Sequence, residues 1–257
     1  MGGYKLMSKL LRANFARLWK SRAFWVCIIF QIFLAAIDFL SAYFISEEKT
    51  FVLSRQFFIG SYIMIFLSVF ITFFICTDYS CKTIRNKLIV GQTRAAVYFS
   101  NFAAALVGSF VIIAAYWAVM SALAFSLGVE MGMPLNEFCF LFWAQIAAVT
   151  ALVSLYVLLS ELVTSKSKAV TAALITSFVL SVAYPSMKEM YIEFNVQAAR
   201  AVSKGISVFF TDIIPSGQLV QMETGEDIQG IFPIYSLAVA AVSTAAGVLI
   251  FRRKDLK

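Results

Sequence analysis

The sequence predicts an all-α polytopic membrane protein with six transmembrane helices. Three observations carry this. Hydrophobic residues make up 61% of the 257 and charged residues only 14%, against about 45–50% and about 25% in soluble domains. The apolar residues fall into six runs of roughly the 20 residues that a helix needs to cross a bilayer. Lysine and arginine concentrate in alternate connecting segments, as they do on the cytoplasmic side of membrane proteins.

The runs lie at about 23–45, 56–77, 98–128, 137–160, 168–185 and 231–251. The first begins too far into the chain, and stays apolar too long, for a cleaved signal, so it reads as a permanent anchor. The third is long enough to project beyond the bilayer as helix. Six Lys or Arg precede the first run, four lie between the second and third, two near 161–168 and four after the last. The other five lie in the alternate segments, which also carry most of the acids. Both termini are therefore expected in the cytoplasm. That placement explains the net charge of +7 without nucleic acid, and no basic patch is interleaved with stacking aromatics.

Residues 5–22 are expected to form an interfacial elbow helix. At about 100° per residue, Met7, Leu10, Leu11, Phe15, Leu18 and Trp19 share one half of the wheel, and Lys5, Lys9, Arg12, Arg17 and Lys20 fill the other. Leu6, Ser8 and Asn14 fit this division poorly. The plain alternative is an unstructured basic tail that only sets topology.

The segment 78–96, between the second and third runs, is a polar and basic island. Asp78 or Ser80 can cap a short helix, Ile84 and Leu88 at i, i+4 give it one apolar side, Arg85 and Lys87 charge the rest, and Gly91 ends it. A helix of about ten residues needs something to pack against. A loop serving topology alone would not need Ile84, Leu88, Ile89 and Val90.

The segment 185–230 is the one large connection on the outer side. It divides into an amphipathic stretch, MKEMYIEFNVQAARAVSKGISVFF, and a tighter one, TDIIPSGQLVQM, in which Pro215 and Gly217 are expected to break any helix. Ile213, Ile214, Leu219 and Val220 demand an apolar environment. A segment dipping partly into the membrane meets both demands when protein shields its backbone.

Two polar residues fall inside the first run. Asp38 is costly in hydrocarbon, by roughly 2.5–3.5 kcal/mol at the centre and less near the interface. It faces a cavity or reaches the outer headgroups. Gln31 stands on a related face and is a candidate for the same path. Glu161 closes the fourth run, an unfavourable place for an anion, with Lys166 or Lys168 expected to neutralise it. The 26 phenylalanines suit either lipid packing or an amphipathic cargo.

The chain has no histidine, which removes the commonest general base and metal ligand. Its four cysteines (27, 76, 81, 139) show no metal or disulfide spacing. None of its twelve glycines is followed by lysine, so the phosphate-cradling G-x-x-x-x-G-K-[ST] loop is absent.

The stretch TIRNKLIVGQTRAAVYFSN (Thr83 to Asn101) resembles the loop after the second span in small bacterial ABC exporter permeases of the type-2 class. LLRANFARLWKSRAFW near the N-terminus, IIPSGQ in the outer segment and IFRRKDLK at the end agree with it. Lys82 stands where that family has glycine. The resemblance implies a single transmembrane permease domain over 1–257 in the bacterial cell membrane, working as a dimer with a second copy or a paralogue. The pair engages cytoplasmic ABC ATPase subunits, which bind ATP and Mg while this chain binds no cofactor. The island becomes a coupling helix: Ile84 and Leu88 enter an apolar notch on the ATPase, Arg85 and Lys87 meet its acidic rim, Thr83 belongs to the shared motif, and Asp78 braces the loop against Arg85 or another basic residue. The cargo class is amphipathic or hydrophobic: a peptide, drug or lipid. Against this stand an ATP-independent secondary transporter, for which one intramembrane acid is thin support, and a non-transporting immunity or sensor subunit. An enzyme lacks a constellation of nucleophile, acid and base.

The orientation is open to chemical labelling. Cys81 is expected to react with a membrane-impermeant thiol reagent only from the inner face, and Cys139, where accessible, from the outer. The opposite pattern would invert the topology.

Overall fold

Buried in lipid, a backbone must satisfy its own hydrogen bonds, so long apolar runs become helices. The computed structural model describes residues 2–45, 57–58, 61–81, 83–129, 132–163, 165–193, 205–225 and 228–254. In chain order the helices are α1 (Gly2–Lys20), α2 (Arg22–Ile45), α3 (Ser61–Ser80), α4 (Thr83–Ile89), α5 (Arg94–Ser126), α6 (Leu135–Leu162) and α7 (Lys166–Glu193). A wide π-helical turn (Phe209–Ile213) then leads into α8 (Pro215–Thr224), and α9 (Phe232–Arg253) follows. The described residues contain no strand.

Five of these helices, α2, α3, α5, α6 and α9, are long and apolar enough to cross a membrane. The stretch expected as a fifth span, 168–185, lies inside α7. Its helix does not stop at Pro185 but runs on to Glu193. Ala169, Ala173 and Ser177, one turn apart, are fully buried, while Ile175, Phe178 and Val179 point outward. That strip of small residues packs α7 on α3, as small residues let membrane helices approach closely.

The centre of the bundle is α3 and α6, which pack on each other and carry α7 along one side. Helix α2 lies on α5 and α9 along α6. Between α6 and α9 a buried Ser154–Ser243 hydroxyl pair sits at 2.5 Å. Tryptophans mark the two ends: Trp19 and Trp25 flank Phe24 at one, and exposed Trp143 lies in the early turns of α6 toward the other. Cys81 and Cys139 are exposed, and Cys27 and Cys76 are buried.

Helix α1 follows the predicted wheel with two instructive departures. Leu10 and Leu18 are buried and Trp19 is half exposed, but Asn14, which fitted the apolar face poorly, is buried on it, and Arg17, assigned to the polar face, turns inward toward Asp78. Both are drawn in by polar partners on other helices.

Pro215 and Gly217 were expected to break helix and instead begin α8. Proline at the first helical position gives up only a donor that has no partner there, and Pro215 occupies that turn. Gly217 has a different reason: a Cβ on it would lie 2.2 Å from the carbonyl oxygen of Phe210 and 2.6 Å from that of Thr211. Helix α8 is thus seated directly on the π-helical turn, with Pro215 to Met222 all buried among α6, α7 and α9. Backbone cannot retreat as a side-chain tip can, so Gly217→Ala is expected to lower stability by about 1–3 kcal/mol. Thermal unfolding of the detergent-solubilised protein measures this, and unchanged melting would remove the close-approach explanation.

Candidate functional site

The island resolves into a compact piece of structure at the end of the bundle where α1, α3, α4, α5 and α9 meet. Helix α3 continues through Asp78 and Tyr79 to Ser80, three residues beyond the expected end of the second span. Helix α4 is shorter than expected, seven residues. Its end is the expected one: Gly91 adopts φ 91°, a conformation that costs glycine no Cβ clash, and its N–H reaches Leu88 O at 3.0 Å while that of Gln92 reaches Lys87 O at 3.2 Å.

Asp78 is the hub. Its carboxylate is buried, accepts a hydrogen bond from Thr83 Oγ1 at 2.6 Å, pairs with Lys87 Nζ at 2.7 Å and makes an ion pair with Arg17. One acid therefore fastens α3 to α4 and to α1. The brace, expected from Arg85 or another basic residue, comes from Lys87 and Arg17. Arg17 also stacks over Phe74, 4.1 Å from the ring centre. Asn14 extends the network: it accepts from Lys87 Nζ at 3.0 Å, and its amide donates to Asn101 Oδ1 at 3.0 Å and to Ser100 on α5. Burial, and behind it the charge of Arg17, lowers the Lys87 ammonium to about 7, with Glu161 pulling the other way. Burial brings the Arg17 guanidinium down to about 10.

This arrangement reverses the expected faces of α4. Ile84, assigned to a partner's notch, is 2% exposed and belongs to this chain's own core. Leu88 is partly buried against the same core, and Lys87 is turned in to Asp78. The apolar side of so short a helix is consumed by the bundle that stabilises it. What α4 offers outward is Arg85, Ile89 and Val90, the two apolar side chains being 81% and 71% exposed.

Glu161 joins from α6. It was expected to be neutralised by Lys166 or Lys168; instead it is buried, accepts from the Tyr79 hydroxyl and from Asn101 Nδ2 at 3.5 Å. Lys254 donates to the backbone carbonyl of the same residue and lies 4.7 Å over the Tyr79 ring. Lys166 sits over the ring of Phe73, at 4.6 Å. Burial lowers the Lys254 ammonium and the Glu161 charge opposes this. Arg94, at the start of α5, donates to the carbonyls of Phe251 at 3.2 Å and Arg252 at 3.0 Å. It thereby satisfies the open C-terminal carbonyls of α9.

Asp38 and Gln31 are not part of this cluster. Asp38 accepts a hydrogen bond from Tyr116 Oη on α5 at 3.1 Å. Gln31 is fully buried, and among the described residues its side-chain amide has no hydrogen-bond partner. The sequence missed a second polar cluster, between residues 211 and 236. Buried Asp212 accepts from Thr211 Oγ1 at 2.7 Å, from Gln229 Nε2 at 3.0 Å and from Gln221 Nε2 at 3.4 Å. Gln218 Nε2 donates to Asp212 O at 2.5 Å, and Gln218 Oε1 accepts from Ser236 on α9 at 2.6 Å. The available signal was two glutamines at i, i+3 in a stretch whose other residues demand an apolar setting.

The described residues contain no group of three or more His, Cys, Asp or Glu suited to a metal. No protein-family model and no curated relative matches the chain.

Removing one partner of a buried ion pair leaves uncompensated charge and costs about 3–5 kcal/mol. Asp78→Asn is expected to fall within that range, because the guanidinium nitrogens of Arg17 are themselves buried. Adding Lys87→Met is expected to recover part of the loss. A double-mutant cycle read by thermal unfolding checks this, and strictly additive losses would show that the pair is uncoupled.

Proposed function

We propose that the chain is the membrane-spanning permease subunit of an ATP-binding cassette exporter, moving an amphipathic or hydrophobic cargo with energy from ATP hydrolysed on a separate subunit. In this reading α7 supplies a sixth span, α1 is the elbow helix, both termini are cytoplasmic in a bacterial cell membrane, and two permeases work as a dimer with two ATPases. The outer segment 205–225 dips back between α6, α7 and α9.

One observation carries the proposal. Helix α4 is too short to stand alone, is pinned through Asp78, Lys87, Thr83 and Ile84 to the ends of the spans, and still presents Arg85, Ile89 and Val90 outward. This is the construction of a lever: a small contact surface whose displacement moves rods attached to it rigidly. Closure of the ATPases would press on α4, and Asp78 would pass the displacement to α3 and, through Arg17, to α1. Thr93 caps α5, its Oγ1 accepting from Ala96 N–H at 3.2 Å, so the far end of the island is also tied to a span. The apolar contact with the ATPase falls to Ile89 and Val90 in place of Ile84 and Leu88.

The test is to isolate the protein from its native host and ask whether a cassette-type ATPase accompanies it. In the complex, Arg85→Glu is expected to reduce cargo-stimulated ATP hydrolysis at least about tenfold, roughly 1.4 kcal/mol of coupling, with membrane insertion unchanged. Normal coupling in that variant, or cargo movement in vesicles that contain no ATPase, would overturn the proposal.

A further inference from the structure

At the α1–α2 corner the structure forms a cavity of about 560 Å³, within the range of roughly 300–1,000 Å³ that holds small-molecule ligands. Its polar wall is cationic: Arg17, Lys20, Arg22 and Lys166 line it, and no acid does. Its other wall is apolar, formed by Val26, Val69, Phe73 and Phe74. Asp78 is shared between Arg17 and Lys87, so it cannot neutralise the other three cations. The N-termini of α2 and α7 both begin here, adding N–H groups that have no intrahelical partner. Trp19 and Trp25, with ring centres 6.1 Å apart, stand beside it, and tryptophan collects at headgroup depth.

We infer that this cavity is a binding site for one anionic phospholipid of the adjoining leaflet, with its phosphate among Lys20, Arg22 and Lys166 and its acyl chains along Val26 and Phe73. Charge complementarity selects the occupant. A zwitterionic lipid carries its own cation into a site that already has three unneutralised ones, and a free anion leaves the apolar wall uncovered. The lipid would bridge α2 and α7, each of which packs on α3, and so fix the seat of α1 against the bundle.

The full-length protein in detergent is offered equimolar phosphatidylglycerol and phosphatidylcholine with matched chains, and retained lipid is measured by native mass spectrometry. Phosphatidylglycerol is expected to be retained at least about fivefold over phosphatidylcholine, a difference of about 1 kcal/mol. Arg22→Gln with Lys166→Gln is expected to bring the two lipids close to parity, and Lys20→Gln alone to lower the preference partway. Arg252→Gln with Arg253→Gln removes the same charge from α9 and is expected to leave the preference intact. Equal retention of both lipids by the unaltered protein, an equal loss from both double variants, or displacement of the lipid by excess inorganic phosphate would overturn the inference. The measurement needs no ATPase, so its failure is separable from failure of the exporter proposal.

Discussion

A single buried carboxylate with two cations organises one end of this molecule. Inside a bilayer, apolar side chains gain nothing by leaving lipid for protein, so helices are held by close packing and by polar contacts. Asp78 supplies the polar contact in its most demanding form. A charge taken out of water is tolerated only with partners at hand, and Arg17 and Lys87 must therefore stay where α1 and α4 put them. The requirement then propagates: Lys87 reaches Asn14, Asn14 reaches Ser100 and Asn101, and Asn101 reaches Glu161. Through these bonds α1, α3, α4, α5 and α6 have one common registration.

Helix α9 joins this knot to the segment that carries α8. Its last carbonyls are held by Arg94 on α5, while near its start Ser236 donates to Gln218 beside the Asp212 cluster. Between those points lie the Ser154 contact and the glycine at 247, where a Cβ would meet the Tyr98 ring. A strut tied at both ends cannot slide independently of α5 or α8. In an exporter, movement delivered at the coupling end would reach the outer segment through this helix.

What could be read from the chain followed a simple division. Properties set by local chemistry were legible: the apolar runs, the helical periodicity of α1 with Leu10 and Leu18 inward, the stop at Gly91, and an apolar environment for Leu219 and Val220. Properties set by distant partners were not. Nothing near Asn14 in sequence announces Ser100 or Lys87, so a polar residue on an apolar face looked like a flaw when it was the link. The same holds for Ile84: i, i+4 spacing identifies an apolar side but not whether the chain itself or another protein covers it. Pro215 and Gly217 were misread for a related cause, since each suits a helix start or a close backbone contact as well as a break, and only the neighbouring turn decides. Arg94 could be counted as a charge, but its caps lie more than 150 residues away.

The length of α5 has a consequence for how the protein stands in its membrane. Its 33 residues make a rod about 50 Å long, against a hydrocarbon core of about 30 Å. The surplus is not distributed blindly: the first two turns, Arg94 to Asn101, carry the caps of α9 and the amides that receive α1. Those turns form a rigid post that carries α1, and a surplus of about 20 Å leaves room for them to stand clear of the hydrocarbon. A thinner or thicker bilayer would then be absorbed by tilt of the rods below, leaving the platform itself undeformed.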